Sequence, residues 1–206
     1  MTEKKTKSTK RQRADEVNPY LCKNLIAVIE NPIDIRNIGT VIRNVCALGV
    51  EKTYIVDCRK SLPNDWQEMR NRKSLNKTSV SAVKWSFVKR FDTTTECLDH
   101  LESKKFTSIV TSPHVKGKEN TVLHDGRYNQ TRLAVWFGNE SKGVSEEVVA
   151  RSEFCIQIPM YGIIESLNLG TATGIVLYEV AKQRRQFIQR YGRRRPKYLK
   201  EFYGDE

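Results

Sequence analysis

The chain has 206 residues, of which 38% are hydrophobic and 29% charged, and it carries a formal net charge of +12. Its length fits one domain with short extensions, and its apolar runs are far shorter than the ~20 residues of a membrane-spanning helix, so we predict no membrane association. The basic N-terminal residues are followed by no apolar region, which argues against a secretory signal and for a cytoplasmic protein.

Short, β-rich apolar segments alternate with helical patterns along the chain. The predicted strands are 25–29, 53–56, 85–88, 107–111, 133–137 and 154–158, and the predicted helices are 38–48, 63–72, 94–103, 145–151 and 168–189. Ser145 is the predicted N-cap of its helix, with Glu146 and Glu147 in the first turn, where the helix dipole stabilises acids. This alternation predicts an α/β fold with a mostly parallel sheet flanked by helices.

The positive charge is concentrated at the two ends of the chain. Residues 1–13 contain six Lys and Arg residues and one Glu, and residues 182–200 contain nine and no acid. Such ends are typical of a protein that binds a polyanion, although solubilising tails would show the same pattern. Aromatic residues interleaved with the C-terminal charges favour RNA, whose bases stack on such rings, but the rings could equally dock on the protein's own domain.

We therefore divide the chain into three parts: a basic segment 1–20 expected to be disordered, a domain 21–183, and a basic helix and tail 184–206 for RNA binding. The candidate RNA-binding residues are Arg11, Arg13, Arg36, Arg184, Arg185, Arg190, Arg193, Arg194, Arg195 and Lys197. The five cysteines form no C-x-x-C pair and the three histidines are scattered. This pattern predicts reduced thiols and neither a disulfide framework nor a metal site.

The first predicted helix has two chemically different faces. Its apolar face consists of Ile38, Val41, Ile42, Val45 and Leu48, and its polar face of Arg36, Asn37, Thr40, Arg43 and Asn44. The polar face follows the first strand, where open α/β sheets bind ligands, although an ordinary solvated face would look the same. In the last helix, Gly170 and Gly174 predict close packing against another helix, within the chain or between subunits.

The usual nucleotide-binding fingerprints are absent. GNESKG at 138–143 has the glycine spacing of a P-loop, but Val144 stands where the P-loop has its lysine. No G-x-G-x-x-G follows a predicted strand, so an ordinary dinucleotide-binding or Rossmann methyltransferase loop is not supported.

Three segments together resemble a known family: ENPIDIRNIGTVIRNVCALGV, LAVWFGNESKGVSEEVV and IQIPMYGIIESLNLGTATGIVLYE. In order and spacing they resemble the three motifs of the SPOUT superfamily, and most of all its TrmH/SpoU branch of RNA ribose 2′-O-methyltransferases. The resemblance extends over about residues 25 to 183. In the third motif, LGTATG stands where the family usually has VSVAA. The short basic extensions are similar to those of the tRNA methyltransferases that modify guanosine 18 in the D-loop.

This resemblance implies S-adenosylmethionine as methyl donor, RNA as substrate with tRNA favoured, a homodimer, and a C-terminal trefoil knot. Carried over residue by residue, the cofactor would lie against Thr111, Gly138, Ile158, Met160 and Leu167. The matching catalytic set is Asn37, Arg43, Glu140, Ser166 and Asn168.

The resemblance also implies a division of labour in the catalytic set. Arg43 would activate the ribose hydroxyl. Since a guanidinium loses its proton only far above neutral pH, we expect it to bind the adjacent phosphate and stabilise the developing alkoxide. Asn37 and Glu140 would orient Arg43, and Ser166 with Asn168 would hold the cofactor or the ribose. The alternatives are methylation of ribosomal or other RNA, a catalytically silent RNA-binding or assembly protein, and a small-molecule-binding protein.

Overall fold

A seven-stranded parallel sheet forms the centre of the protein, in the order β3-β2-β1-β6-β4-β7-β5. The structure is a computed structural model and describes residues 9–117 and 119–192. The strands are β1 (Cys22–Glu30), β2 (Val50–Val56), β3 (Phe87–Phe91), β4 (Thr107–Thr111), β5 (Asn120–Val122), β6 (Leu133–Phe137) and β7 (Cys155–Gln157). The helices are α1 (Thr9–Val17), α2 (Ile35–Ala47), α3 (Trp66–Asn71), α4 (Lys73–Thr78), α5 (Thr94–Ser103), α6 (Glu146–Ala150) and α7 (Leu169–Tyr191).

The predicted α/β class and parallel sheet are confirmed, and the bounds of α5, β4 and β6 agree with the predicted ranges. The prediction missed α1, α4 and the short strand β5. The expected disorder of the N-terminal segment was wrong for residues 9–17, because they form the helix α1. Arg, Gln, Ala and Glu are good helix formers, and Arg13 pairs with Glu16 at 3.2 Å. Residues 1–8 lie outside the described part of the chain.

Two hydrophobic layers cover the two faces of the sheet because successive strand side chains point to opposite sides. Leu25, Ala27 and Ile29 of β1 lie in the layer that contains the apolar residues of α2 and α7. Ile26 and Val28 lie in the opposite layer, with α5 and α6. Of the predicted core face of α2, Ile38, Val41, Ile42 and Val45 are buried, whereas Leu48 is half-buried and directly follows the helix. The polar face is half-buried or exposed.

Helix α7 packs closely against α2 of the same chain, through the Gly170 and Gly174 pair. A Cβ atom on Gly170 would lie 2.5 Å from Thr40 Cγ2, and one on Gly174 would lie 3.4 Å from Asn44 Nδ2. Asn44 Nδ2 donates hydrogen bonds to the Gly170 carbonyl at 2.7 Å and to Thr173 Oγ1 at 3.1 Å. The glycine pair therefore packs within one chain, and it brings the start of α7 beside the start of α2.

Within the described residues, no helix is long and apolar enough to cross a membrane. In the same part of the chain, no three His, Cys, Asp or Glu residues are grouped so that they could hold a metal ion. The five cysteines are free; Cys46 and Cys58 are exposed, and the other three are buried.

Candidate active site

A cavity of about 360 Å³ lies where β4, β6 and β7 end. Its walls come from the end of β4, from the loop between β6 and α6 (residues 138–145, the glycine loop) and from the segment that leads from β7 into α7. We call it the site cavity. All five residues predicted to contact the cofactor line it: Thr111, Gly138, Ile158, Met160 and Leu167. Two of the predicted catalytic residues, Glu140 and Ser166, line it as well.

The glycine loop is a tight turn in which only glycine fits at the first position. Asn139 and Gly143 form a two-hydrogen-bond bridge, at 3.0 and 2.9 Å. A Cβ atom on Gly138 would lie 2.0 Å from the carbonyl carbon of Gly143, a clash that no side-chain movement can relieve. Gly143 has a φ of +68°, which favours glycine for conformational reasons. The loop therefore presents its backbone to the cavity.

Three of the five predicted catalytic residues form one hydrogen-bonded chain. Asn37 Nδ2, on α2, donates to Glu140 Oε1 in the glycine loop at 2.7 Å. Asn168 Nδ2 donates to Asn37 Oδ1 at 3.0 Å, and Asn168 Oδ1 caps α7 by accepting from Gly170 N at 2.8 Å. The three motifs thus meet at one edge of the site cavity, through side chains that are far apart in the sequence.

Hydrogen bonds keep the Glu140 carboxyl in its charged form. Burial by itself would raise the pKa of Glu140, but hydrogen bonds from Asn37 and from backbone N–H groups, including that of Ile33 at 3.0 Å, outweigh burial and lower the pKa. Glu140 is therefore an anionic acceptor that fixes the amide orientation of Asn37 at neutral pH.

Arg43 and Ser166 are not part of this series of hydrogen bonds. Arg43 lies on the exposed face of α2, and among the described residues it makes no hydrogen bond or ion pair. It lies six residues beyond Asn37, a rise of about 9 Å along the helix. Ser166 is exposed at the rim of the cavity. The structure therefore does not show the predicted contact of Asn37 and Glu140 with Arg43, and leaves this guanidinium available to a ligand.

The sequence profile of the SpoU rRNA methylase family matches residues 24–178, which is most of the chain and includes the first two motif segments and all but the last residue of the third. The chain belongs to this family. The predicted membership of the TrmH/SpoU branch is thus confirmed, and with it the enzyme class: a SpoU-family RNA 2′-O-methyltransferase that uses S-adenosylmethionine.

Individual relatives of this SpoU-family chain include tRNA (guanosine(18)-2′-O)-methyltransferases. That of Aquifex aeolicus is 31% identical over 175 residues, covering 85% of this chain and 77% of the relative. That of Thermus thermophilus is 28% identical over 175 residues, covering 85% of this chain and 83% of the relative. The crystal structure of the A. aeolicus TrmH/SpoU tRNA modifying enzyme superimposes with a TM-score of 0.70 at 26% identity, covering 91% of this chain and 88% of that one.

One of the predicted RNA-binding residues is buried in the fold. Arg184 is 7% exposed, and its guanidinium donates to the carbonyl groups of Lys23, Tyr128, Gln130 and Thr131 at 2.5 to 3.4 Å. Burial lowers the pKa of this guanidinium. The prediction for Arg184 was wrong because a basic stretch of helix does not reveal which of its residues face inward.

The neighbouring Arg185 also bonds to the protein itself. Its guanidinium donates to the carbonyl groups of Tyr20, at 3.1 Å, and Leu48, so it ties the N-terminal turn to the end of α2. Arg36 is exposed but pairs with Asp34 at 2.7 Å. Arg11, Arg13 and Arg190 are exposed, whereas Arg193, Arg194, Arg195 and Lys197 lie outside the described residues.

Sequence reasoning missed the residues that hold the glycine loop in place, chiefly Glu30, Asn31 and Asn139. Asn139 Nδ2 donates to the Asn31 carbonyl at 2.7 Å, and Glu30 accepts hydrogen bonds from Ser145. Two signals were present: Glu30 and Asn31 begin the first motif segment and Asn139 lies in the second, and an acidic residue directly after the apolar run LIAVI is unusual at the end of a buried strand. Nothing in the sequence indicates which donors that carboxylate would meet.

Proposed function

We propose that this SpoU-family enzyme methylates the 2′-hydroxyl of a guanosine in the D-loop of tRNA, at position 18, in the cytoplasm. The observation that carries the proposal is the convergence of the three motifs on one cavity edge, in a chain whose relatives along most of its length are named for this reaction. The family name also mentions rRNA, so methylation of ribosomal RNA is the second candidate.

The site cavity fits S-adenosylmethionine in size and lining. Its volume of about 360 Å³ lies within the ~300–1,000 Å³ range of small-molecule sites. The backbone of the glycine loop and the end of β4 can bond to polar groups of adenine and ribose, and Ile158, Met160 and Leu167 can contact the flat ring. When bound, S-adenosylmethionine supplies an electrophilic methyl group. Thr111 Oγ1 already donates its hydrogen to the Trp136 carbonyl at 2.9 Å, so towards the cofactor it can act as an acceptor only.

We propose that Arg43 is the residue that acts on the ribose of the RNA. A ribose hydroxyl is a poor nucleophile until its proton leaves, and an unpaired guanidinium stabilises the alkoxide that develops. The same group can bind the adjacent phosphate through its planar set of donors. The chain Asn168–Asn37–Glu140 keeps the start of α2 against the cavity, and thereby orients the helix that carries Arg43. Ser166, at the rim, is placed to hold the cofactor or the ribose.

Arg43 does not line the site cavity of its own chain, which favours a homodimer. Close to the cavity, Tyr161, Ile163 and Ile164 are 92%, 99% and 70% exposed, an arrangement that water disfavours. Ile175 and Tyr178 of α7 line a second, open cavity of about 640 Å³ beside α2. We propose that a second copy of the chain covers both areas. The expected mass in light scattering is about twice the 23.8 kDa of one chain, and Ile163→Glu should shift the protein to the monomer.

We further propose that the segment from β6 to α7 forms the trefoil knot that the family implies.

The proposed reaction is tested by incubating the enzyme with S-adenosylmethionine tritiated in its methyl group and with separate tRNA and ribosomal RNA fractions. We expect incorporation into tRNA, mapped to the 2′-oxygen of guanosine 18. Incorporation into ribosomal RNA alone would select the second candidate, and none into either would refute the function. Arg43→Ala should abolish transfer while the affinity for S-adenosylmethionine survives; full turnover by this variant would remove Arg43 from the reaction.

RNA binding is tested separately from methyl transfer. If the basic residues engage RNA phosphates, the logarithm of the binding constant should fall with the logarithm of salt concentration at a slope of about −0.7 per contact for single strands. Deleting residues 190–206 should raise KM for RNA more than it weakens cofactor binding. An unchanged KM would show that the C-terminal charges take no part in RNA binding.

A further inference from the structure

Within the described part of the chain, Glu30 is a buried acid with no basic partner. It is the last residue of β1 and is 2% exposed, and its carboxylate accepts hydrogen bonds from Thr94 Oγ1 at 2.7 Å, Ser145 Oγ at 2.7 Å and Ser145 N at 2.8 Å. Among residues 9–117 and 119–192, no Lys or Arg forms an ion pair with it. Burying a carboxyl group without a basic partner is unfavourable, so an apolar residue would stabilise the core better at this strand end.

The two donors to Glu30 belong to different parts of the fold. Thr94 lies in the first turn of α5, far from the site cavity in the chain, whereas Ser145 is the last residue of the glycine loop and the N-cap of α6. The adjacent residue Asn31, which has a φ of +49°, holds the other end of the same loop by accepting from Asn139 Nδ2 at 2.7 Å. The two ends of the glycine loop are therefore bonded to Glu30, the last residue of β1, and to Asn31, which directly follows the strand.

We propose that Glu30 is a positioning residue for the methyl donor: by fixing Ser145 it sets the position of the glycine loop, whose residues 138–143 form one wall of the site cavity. The identity of the ligand rests on the proposed function, but the positioning of the loop does not. Glu30 itself does not line the cavity, so it acts through the loop and without contact to the cofactor. Glu140 keeps the hydrogen bonds that it accepts from Asn37 and from Ile33 N. We therefore expect loss of Glu30 to weaken the binding of the methyl donor more than it lowers kcat.

Two matched variants separate positioning of the loop from general support of the fold. Ser145→Ala and Thr94→Val each remove one hydroxyl bond to the same carboxylate oxygen, the first on the loop side and the second on the α5 side. Ser145→Ala also removes the N-cap bond from Val148 N, which the substitutions of Glu30 leave in place. We expect both substitutions to lower the free energy of unfolding of the protein. Ser145→Ala should speed amide hydrogen exchange of residues 139–145 in the cofactor-free protein and raise the Kd for S-adenosylmethionine about three- to tenfold. Thr94→Val should leave both readouts within twofold of the wild type.

Two substitutions of Glu30 complete the test. Glu30→Met keeps the side-chain volume but accepts no hydrogen bond. It should raise the Kd for S-adenosylmethionine tenfold or more, and kcat at saturating S-adenosylmethionine should change less than threefold. Glu30→Gln should restore most of the affinity, because its carbonyl can accept from Ser145 N while its NH₂ group donates to hydroxyls that rotate.

Wild-type exchange rates for the loop in Ser145→Ala and Glu30→Met, or an equal rise in Kd for Thr94→Val, would overturn the proposal. Should Glu30→Met fail to fold, the Ser145 and Thr94 pair decides alone. A wild-type protein that binds no S-adenosylmethionine would refute the proposed function, whereas the exchange rates would still show whether Glu30 positions the loop.

Discussion

Replacing Arg184 with alanine distinguishes a basic residue of the fold from one that binds RNA. The substitution removes the donor shared by four carbonyl groups: those of Tyr128 and Gln130, which are buried residues, and those of Lys23 and Thr131, which are exposed ones. A hydrogen bond to a charged group contributes about 1.5–3 kcal/mol, and acceptors left buried without a partner lose more. These contributions do not add fully, and water can reach some of the vacated space. We expect the free energy of unfolding to fall by about 3 kcal/mol.

The assay is urea unfolding followed by circular dichroism, together with RNA binding at a temperature where the variant is folded. For a domain of this size, about 3 kcal/mol corresponds to a fall in Tm of roughly 6–12 °C. Arg190→Ala is the matched control, because Arg190 lies on the same helix and is exposed. It should weaken RNA binding with little change in stability. An Arg184→Ala variant with wild-type stability and markedly weaker RNA binding would refute the reasoning.

Further predictions concern the loop, a carboxyl group and the thiols. Gly138→Ala, whose Cβ atom would lie 2.0 Å from Gly143, should abolish S-adenosylmethionine binding in calorimetry, whereas Gly162→Ala, with nothing within 4 Å, should bind as the wild type does; equal affinities would contradict the predicted clash. Glu140→Gln should lower the stability at neutral pH. Because the folded pKa of Glu140 is lowered, the stability that its charge contributes is present above the unfolded value of about 4.3 and is lost as the pH falls through the folded value. Urea unfolding of both proteins between pH 7 and 3 should therefore converge at the acid end, and a constant difference would argue against this cause. A thiol reagent should label Cys46 and Cys58 in the native protein and all five thiols after denaturation, because burial raises the pKa of Cys22, Cys97 and Cys155; fast native labelling of the buried three would contradict their placement.

The sequence predicted those parts of the fold whose signals are local. Ser145 is the N-cap of α6, as predicted, and Ser145 Oγ accepts a hydrogen bond from Val148 N. This cap was predictable because a hydroxyl residue directly before an acidic first turn is a signal that neighbouring residues carry by themselves. The apolar run at 133–137 was predicted as a strand, and β6 has these bounds in the structure. Helix α1 was missed because it has no apolar face, and β5 because three half-buried residues give no periodic pattern.

The candidate site was predictable as a set of residues but not as an arrangement. Motif order and spacing named Asn37, Glu140 and Asn168, and the structure joins them by hydrogen bonds across more than a hundred positions of sequence. The same motifs named Arg43, which lies on the exposed face of α2 and makes no hydrogen bond or ion pair within residues 9–117 and 119–192, so the role proposed for it requires a ligand or a second subunit.

By itself, the sequence determined the α/β class, the parallel sheet, the family and the residues of its motifs, because periodicity, caps and motif spacing are written along the chain. Only the tertiary structure decided that Arg184 serves the fold and that the two glycines of α7 pack on α2. It also decided that a buried Glu30 holds the glycine loop. The physical reason is that burial and hydrogen-bond partners are set by residues distant in the chain, and the same arginine or carboxylate has opposite uses in water and in the protein interior.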